Sequence, residues 1–374
     1  MVHPKLKTLI PMHEIEDEAQ KQIYNILNLP FLERLAVMPD VHYGFYMPIG
    51  SVALFEGVIS PACVGVDIGC GMTSVFLDVN AEDIRKDAQK IAEEIYKRIP
   101  VGFQSRNIPK DYDEFKLSVP NKNIQKRVND KIYHQIGTLG GGNHFIEVGE
   151  SEKTGKVVIT IHSGSRGAGK IVADYYINFS KQLDKDLPDG FFGWGSEPAL
   201  AYWADMNFFT EYALVSRRIM ADEVAKILGV RSFKEYTDEI NENHNFADSV
   251  RINDKVYFSH RKGVTPAKFG QMGVIPANMR DGVYITKGLG NKEFLESASH
   301  GAGRVMSRSM AKKLIPIEGF KQIMSESGVI AKVDESTLDE SPMAYKNIDV
   351  VLEYQNGINI EVVDKVKPII NIKG

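Results

Sequence analysis

The sequence predicts an α/β fold with mixed β-sheets. Three observations carry that expectation: strand-like and helix-like segments interleave from end to end, no fixed-period repeat is present, and no Pro/Gly/Ser linker divides the 374 residues. A length prior of roughly 150 residues per domain allows two domains or one large α/β unit. In chain order, apolar residues at three- and four-residue intervals predict a helix over 82–99. Residues 105–130, rich in Lys, Asn and Asp, read as a mobile surface segment. The run VVITI over 157–161 predicts a strand, and helical periodicity returns over 170–183 and 203–228. A last helix is predicted over 303–314, followed by strands over 349–353, 358–363 and 368–372.

Composition narrows the class. Lys and Arg number 45 against 49 Asp and Glu, a formal net charge of −4, with 43% hydrophobic and 25% charged residues. That excludes wholesale disorder and argues against broad electrostatic coating of nucleic acid, while leaving room for a local basic groove. No apolar run reaches the roughly 18 residues of a membrane helix. The first residues mix Lys5, Lys7, Glu14, Glu16 and Asp17 without an apolar core, so a signal peptide is not expected. Two cysteines, Cys63 and Cys70, cannot build a disulfide framework, which points to a reducing, cytoplasmic setting.

The 32 glycines concentrate in 65–71, 137–142, 164–169, 263–290 and 301–303. Each cluster has a His, Cys, Asp or Arg close by, which turns alone explain poorly. Asp67 and Cys70 sit three apart in a glycine-flanked turn, where carboxylate and thiolate suit a transition ion better than Mg²⁺ or Ca²⁺. Asn143, His144 and Glu147 follow a triple glycine; His162 ends the 157–161 strand; His244 lies between Asn243 and Asn245. Together His144, His162, His244, Asp67 and Cys70 form a one- or two-metal set for which Cys with His suggests Zn²⁺ first. Gly164 to Lys170 fits G-x-x-x-x-G-K, but Ile171 stands where a P-loop needs Ser or Thr, so a Walker loop is rejected. His300-Gly301-Ala302-Gly303-Arg304 reads as a helix N-terminus for phosphate, with Arg304, Arg308 and Lys312 on one face and His300 as general acid or nucleophile. Cys63 reads as a buried hydrophobe, and His42 either as a brace for the Asp40 carboxylate or as a residue that satisfies a turn; His3, His13 and His134 read as surface residues.

In order, MPDVHYG, GVISPACVGVDIGCG, GTLGGGNHFIEV, IHSGSRGAG, NENHNF, HRKGVTP and SHGAGRVMSR resemble the RtcB family of 3′-phosphate RNA ligases, from about Met38 to Lys373. The resemblance implies one domain over 1–374, with mixed β-sheets enclosing a dinuclear metal site and helices outside. It implies a GTP- and Mn²⁺-dependent enzyme that joins RNA 3′-phosphate or 2′,3′-cyclic phosphate ends to 5′-hydroxyl ends, in RNA repair or tRNA splicing. His300 takes the place of the histidine that carries GMP. Asp67, Cys70 and His144 match the ligands of one manganese ion, and Cys70, His162 and His244 those of the other, so Mn²⁺ replaces the Zn²⁺ expectation. Asn143, His144, Phe145, Ile146, Glu147, His244, Asn245, Pro276, Ala277, Asn278, Met279, Val283, His300, Gly301, Ala302, Gly303 and Lys373 match guanylate-binding positions, and Tyr345 is placed to stack on guanine. Asp40, Arg166 and Arg304 match further active-site positions, and an Archease-type activator is the expected partner.

Departures from the family pattern fall on nucleotide contacts. Many members read Pro-Gly-Ser-Met-Gly where this chain has Pro276-Ala277-Asn278-Met279-Arg280, Val283 replaces a serine, and the connection from Gly50 to Gly57 is short. These changes point to a sub-branch devoted to RNA repair. Two other classes compete: a metal-dependent 2′,3′-cyclic phosphodiesterase that does not ligate, and a non-catalytic RNA-binding protein.

Overall fold

The computed structural model describes residues 3–107, 118–183, 186–231 and 233–374. At its centre, the strand Lys156–Ser163 is buried along nearly its whole length because both of its faces have apolar partners. Val157, Ile159 and Ile161 pack with Ile95, Met220 and Val224, while Val158 packs on the other face with Met72, Phe145 and Val366. This strand belongs to a sheet running Met272–Asn278, Gly282–Gly288, Ile360–Lys373, Phe145–Ser151, Lys156–Ser163, Gly71–Asn80 and Tyr236–Asn243, with Ile330–Ala331 parallel beside Ile360–Lys373. Helices Ala88–Arg98 and Glu197–Ile227 cover its outer face. A second sheet runs Leu6–Thr8, Leu32–His42, Ile49–Glu56, Lys255–Lys262 and Asn245–Ile252, with helix Asp17–Leu27 packed on it. His244 is the one residue between Tyr236–Asn243 of the first sheet and Asn245–Ile252 of the second. Parallel and antiparallel pairs coexist in both sheets, as the mixed α/β reading expects.

Several local expectations are corrected. Residues 349–353 are not a strand: helix Ile348–Glu353 forms there, capped by the Asn347 side chain, and Ile348, Val351 and Leu352 reach one cluster at helical spacing. The helix expected over 303–314 starts only at Arg308, where Ser307 caps it, so Gly301-Ala302-Gly303 is not a helix N-terminus and Arg304 lies off the helix. The 82–99 segment breaks at Asp87 into Ala81–Lys86 and Ala88–Arg98. The two tail strands are one, Ile360–Lys373. Of the polar stretch over 105–130, residues 108–117 lie outside the described residues; the remainder holds helix Lys122–Val128, whose Ile124 and Val128 enter the core. His134 is half-buried rather than on the surface, its Nδ1 donating to the Arg106 carbonyl at 2.6 Å. Among the described residues no helix is long and apolar enough to cross a membrane.

Candidate functional site

Four neighbouring strands of the large sheet reach one edge together, and each delivers a donor there. Register pairs Phe145 with His162, Met72 with His162, and Gly71 with Asn243. The residues at or just beyond these ends are therefore His144, His162, Cys70 and His244. The His244 amide donates to the Cys70 carbonyl at 2.7 Å, fixing the two chain segments against each other. Cys70 Sγ lies 3.5 Å from His144 Nε2 and 3.3 Å from His162 Nε2, and His162 Nε2 lies 3.3 Å from His244 Nε2. Asp67 completes the group, its Oδ2 3.1 Å from His144 Nε2. Gly164 permits this: a Cβ there would stand 2.2 Å from Asp67 Oδ1. Asn245 braces the turn by donating to the Asp67 carbonyl at 3.1 Å and accepting from the Gly263 amide at 2.6 Å.

The donor chemistry fits bound cations. His144 and His162 donate from Nδ1 to the carbonyls of Leu139 and Asn143, at 3.0 and 3.2 Å, so each Nε2 turns a lone pair inward. Burial, with the neighbouring imidazoles, holds His162 and His244 well below the usual histidine range, so both rings are neutral. Burial and the Asp67 charge push the Cys70 thiol well up, the penalty that a nearby cation removes. Burial also works to raise Asp67, but the adjoining His144 ring, with Cys70 and Arg166, holds its carboxyl below the usual range. Two groups, Asp67/Cys70/His144 and Cys70/His162/His244, each keep their ligand atoms within 4.8 Å of one another. They share one sulfur, and three protein donors apiece leave room for substrate, the pattern of catalytic rather than structural sites.

Beside this cradle opens a cavity of about 440 Å³, large enough for a nucleotide. Asn143, Phe145, Glu147, Pro276, Ala277, Asn278, Met279, His300, Gly301, Ala302, Gly303, Arg304, Tyr345 and Lys373 line it, together with His162. Ile146 and Val283 do not: strand alternation buries Ile146 on the helix-covered face, and Val283 sits among Met72, Phe145 and Val366. His144, His244 and Asn245 serve the cradle instead of lining the cavity.

The His300 ring lies between the two features, 4.9 Å from the His244 ring. Asp40, fully buried at the end of Leu32–His42, accepts from the His300 amide at 3.1 Å and from Nδ1 at 2.7 Å. Burial works to raise the Asp40 carboxyl, yet these bonds hold it below the usual range; the ionised acceptor keeps the proton on Nδ1 and leaves Nε2 with its lone pair. Gly263, at φ +59°, lets the chain pass: a Cβ would lie 2.8 Å from His300 Cε1. His42 donates from Nδ1 to the Asp40 backbone carbonyl at 2.8 Å, satisfying the turn and not holding the carboxylate, and burial pushes its ring down to about 4. Cys63 is fully buried, and burial pushes its thiol up to about 12, an inert hydrophobe.

Charge is arranged around this core. Arg166, with the unusual φ of +60°, donates to Thr138 Oγ1 at 3.1 Å and the Gly102 carbonyl at 2.9 Å; it stands by Asp67 and does not line the cavity. Arg304 donates to the Asp339 carbonyl at 2.7 Å and lies 5.0 Å from the Tyr345 ring. Glu340, unremarked in the sequence, is buried and gathers Lys373, Arg304, Arg308 and the Tyr345 hydroxyl. Burial pushes the Glu147 carboxyl up to about 8, with Asn371 and Lys373 pulling it partly back.

Arg217 is the other residue that sequence reading missed. Fully buried on Glu197–Ile227, it donates to Thr73, Gly69, Ser163, Asn241, Glu242 and Asn243, that is, to the chain beside Cys70, His162 and His244. The signal was its helical phase: Arg217 falls on the apolar stripe of Ala213, Met220 and Val224.

The family model described as tRNA-splicing ligase RtcB matches residues 22–118 and 112–374. The RNA-splicing ligase RtcB of Escherichia coli (strain K12) is 33% identical over 393 residues, covering 96% of this chain and 95% of that protein. The tRNA-splicing ligases RtcB of Methanococcus maripaludis and Archaeoglobus fulgidus are 30% and 29% identical, covering 96% and 97% of this chain and 92% of each relative. With the family model spanning nearly the whole sequence and relatives aligned end to end, this chain belongs to the RtcB family of tRNA-splicing ligases.

Proposed function

We propose that the protein is an RNA ligase that joins 3′-phosphate or 2′,3′-cyclic phosphate ends to 5′-hydroxyl ends, using GTP and two Mn²⁺ ions, and that the 374 residues work as one domain. Family membership supports ligation of RNA. The observation that carries the mechanism is the Asp40-held His300 standing between the His/Cys/Asp cradle and the cavity.

Asp67, Cys70 and His144 would hold one ion, and Cys70, His162 and His244 the other. Bound there, divalent cations neutralise phosphate charge. GTP binds in the cavity with its base toward Glu147 and Lys373 and Tyr345 against the ring. Asp40 holds the Nδ1 proton, so Nε2 of His300 attacks the α-phosphorus and pyrophosphate leaves. A 3′-phosphate oxygen of RNA then attacks the same phosphorus, freeing His300 and leaving a diphosphate-linked guanosine on the RNA. The 5′-hydroxyl attacks the RNA phosphorus and GMP departs. Arg166 and Arg304 stabilise phosphate charge at the two ends of the site. A cyclic phosphate is opened to the 3′-phosphate before these steps. The reduced, buried Cys70 suits the cytoplasm.

An RNA broken to cyclic phosphate and 5′-hydroxyl ends tests the reading. With GTP, Mn²⁺ and an Archease-type activator supplied, it is sealed. Opening of the cyclic end without joining would instead make the protein a phosphodiesterase. Metal analysis gives two equivalents of Mn²⁺; chelation removes activity and Mn²⁺ restores it where Zn²⁺ does not. Cys70→Ser, which alters the shared donor, lowers the content of both ions. Retention of two equivalents in that variant contradicts the shared-sulfur assignment.

A further inference from the structure

Two acceptor oxygens in the cavity wall, Glu147 Oε1 and Asn371 Oδ1, are buried with no hydrogen-bond partner among the described residues. Their side chains belong to directly paired positions, Asn371 on Ile360–Lys373 opposite Glu147 on Phe145–Ser151, and each is 1% exposed. Both line the cavity. The amide has one favourable orientation. Asn371 Nδ2 donates to Glu147 Oε2 at 3.0 Å; with the carboxyl ionised, turning the amide over would set oxygen against oxygen. With that bond made, both remaining acceptors are without donors, a costly state for buried polar atoms unless an occupant supplies the hydrogens. Two residues along the same strands, and so on the same face, the register pairs Lys373 with Phe145, and Lys373 Nζ stands 5.3 Å from the centre of the Phe145 ring. This end of the cavity therefore offers two adjacent acceptors beside one cation.

Among nucleobase edges that pattern is selective. Guanine presents two neighbouring donors, N1–H and the 2-amino group, next to the O6 acceptor. Adenine turns a bare N1 toward the same place, and hypoxanthine keeps N1–H but has no 2-amino group. We infer that Asn371 is a specificity-determining residue for the nucleotide: its Oδ1 accepts from the guanine 2-amino group while Glu147 takes N1–H. Nδ2 of the same amide holds the Glu147 carboxyl in line, so Asn371 both reads the base and positions its partner. The inference rests on the nucleotide-pocket reading above and adds a residue absent from the sequence-matched guanylate positions.

Equilibrium binding of GTP and ITP, measured by calorimetry with their α,β-methylene analogues on the Mn²⁺-loaded full chain so that His300 cannot displace pyrophosphate, tests it without turnover. Wild-type protein binds GTP roughly 10-fold or more tighter than ITP, because ITP leaves one buried acceptor unpaired. Asn371→Leu, close in size but without polar atoms, brings the two affinities together, chiefly by weakening GTP; Asn371→Ala does the same should the larger apolar side chain disturb folding. Glu147→Gln weakens GTP and ITP alike and keeps their ratio, since both carry N1–H. A purely structural role for Asn371 lowers both affinities and leaves the ratio intact, which overturns the proposal. So does wild-type protein that binds GTP and ITP equally. GTP binding with the expected ratio but no labelling of His300 refutes the ligation mechanism and leaves the base-reading assignment standing; binding of no purine nucleotide removes both.

Discussion

His300→Ala loses all guanylyl labelling when the protein is incubated with Mn²⁺ and α-labelled GTP, a drop of at least about 10³-fold below the acid-labile adduct of the wild type. The size of the effect follows from chemistry that no neighbour can replace. His42 stacks 6.5 Å from the His300 ring, but its Nδ1 is engaged by the Asp40 carbonyl and burial keeps the ring neutral within its own turn. His162 and His244 turn their nitrogens into the cradle. Among the described residues only His300 lines the cavity with a carboxylate on Nδ1. Asp40→Asn keeps the shape and removes the charge that fixes the tautomer, so labelling slows by roughly 10²–10⁴-fold while GTP affinity changes little. Labelling of His300→Ala at the wild-type level would mean that another nucleophile carries the nucleotide.

Arg217→Met lowers the free energy of unfolding by about 3–5 kcal/mol, measured by urea denaturation. The guanidinium is fully buried, and burial pulls it down to about 10 from its ordinary value, so the fold bears a desolvation cost that only its partners offset. Those partners are the carbonyls of Gly69, Ser163 and Glu242 and the side chains of Thr73, Asn241 and Asn243. Removing the donor strands all of these acceptors in a place water cannot reach. Because Gly69, Ser163 and Asn243 adjoin Cys70, His162 and His244, metal content falls together with stability. Arg217→Lys keeps the charge but reaches fewer acceptors, and recovers part of both. A methionine variant within 1 kcal/mol of wild type and still holding full metal would show that Arg217 does not organise the sheet edge.

Much of this site was legible before any coordinates. Asp67, Cys70, His144, His162 and His244 each stand beside glycine or a strand end, and those local contexts marked them as candidates. The strand over 157–161 and the helices around 170–183 and 203–228 were readable because their apolar periodicity is long and clean. The failures are equally local. Residues 349–353 look like a strand because a short apolar run has no decisive period, and the Asn347 cap settles the matter only with the chain in place. The glycines of 301–303 suggested a helix start, but Gly303, at φ +74°, presses against the Asp40 carbonyl instead, where a Cβ would come within 2.5 Å.

By itself the sequence marked the candidate donors, the proposed nucleophile and the α/β class, since residue type and short-range spacing set acidity, nucleophilicity and the period of burial. Tertiary structure decided which of them meet. Strand register set His144, Cys70, His162 and His244 on one edge, and the pairing of Ser297–Ser299 with Val264–Pro266, whose Val264 amide donates to the His244 carbonyl, brought His300 up to His244. It alone recruited Arg217, Glu340 and Asn371, whose neighbours lie up to 224 positions away, in the case of Asn371 and Glu147. The physical reason is burial. A buried charge or amide is tolerated only where distant chain supplies its partners, and no local pattern encodes where that chain will be.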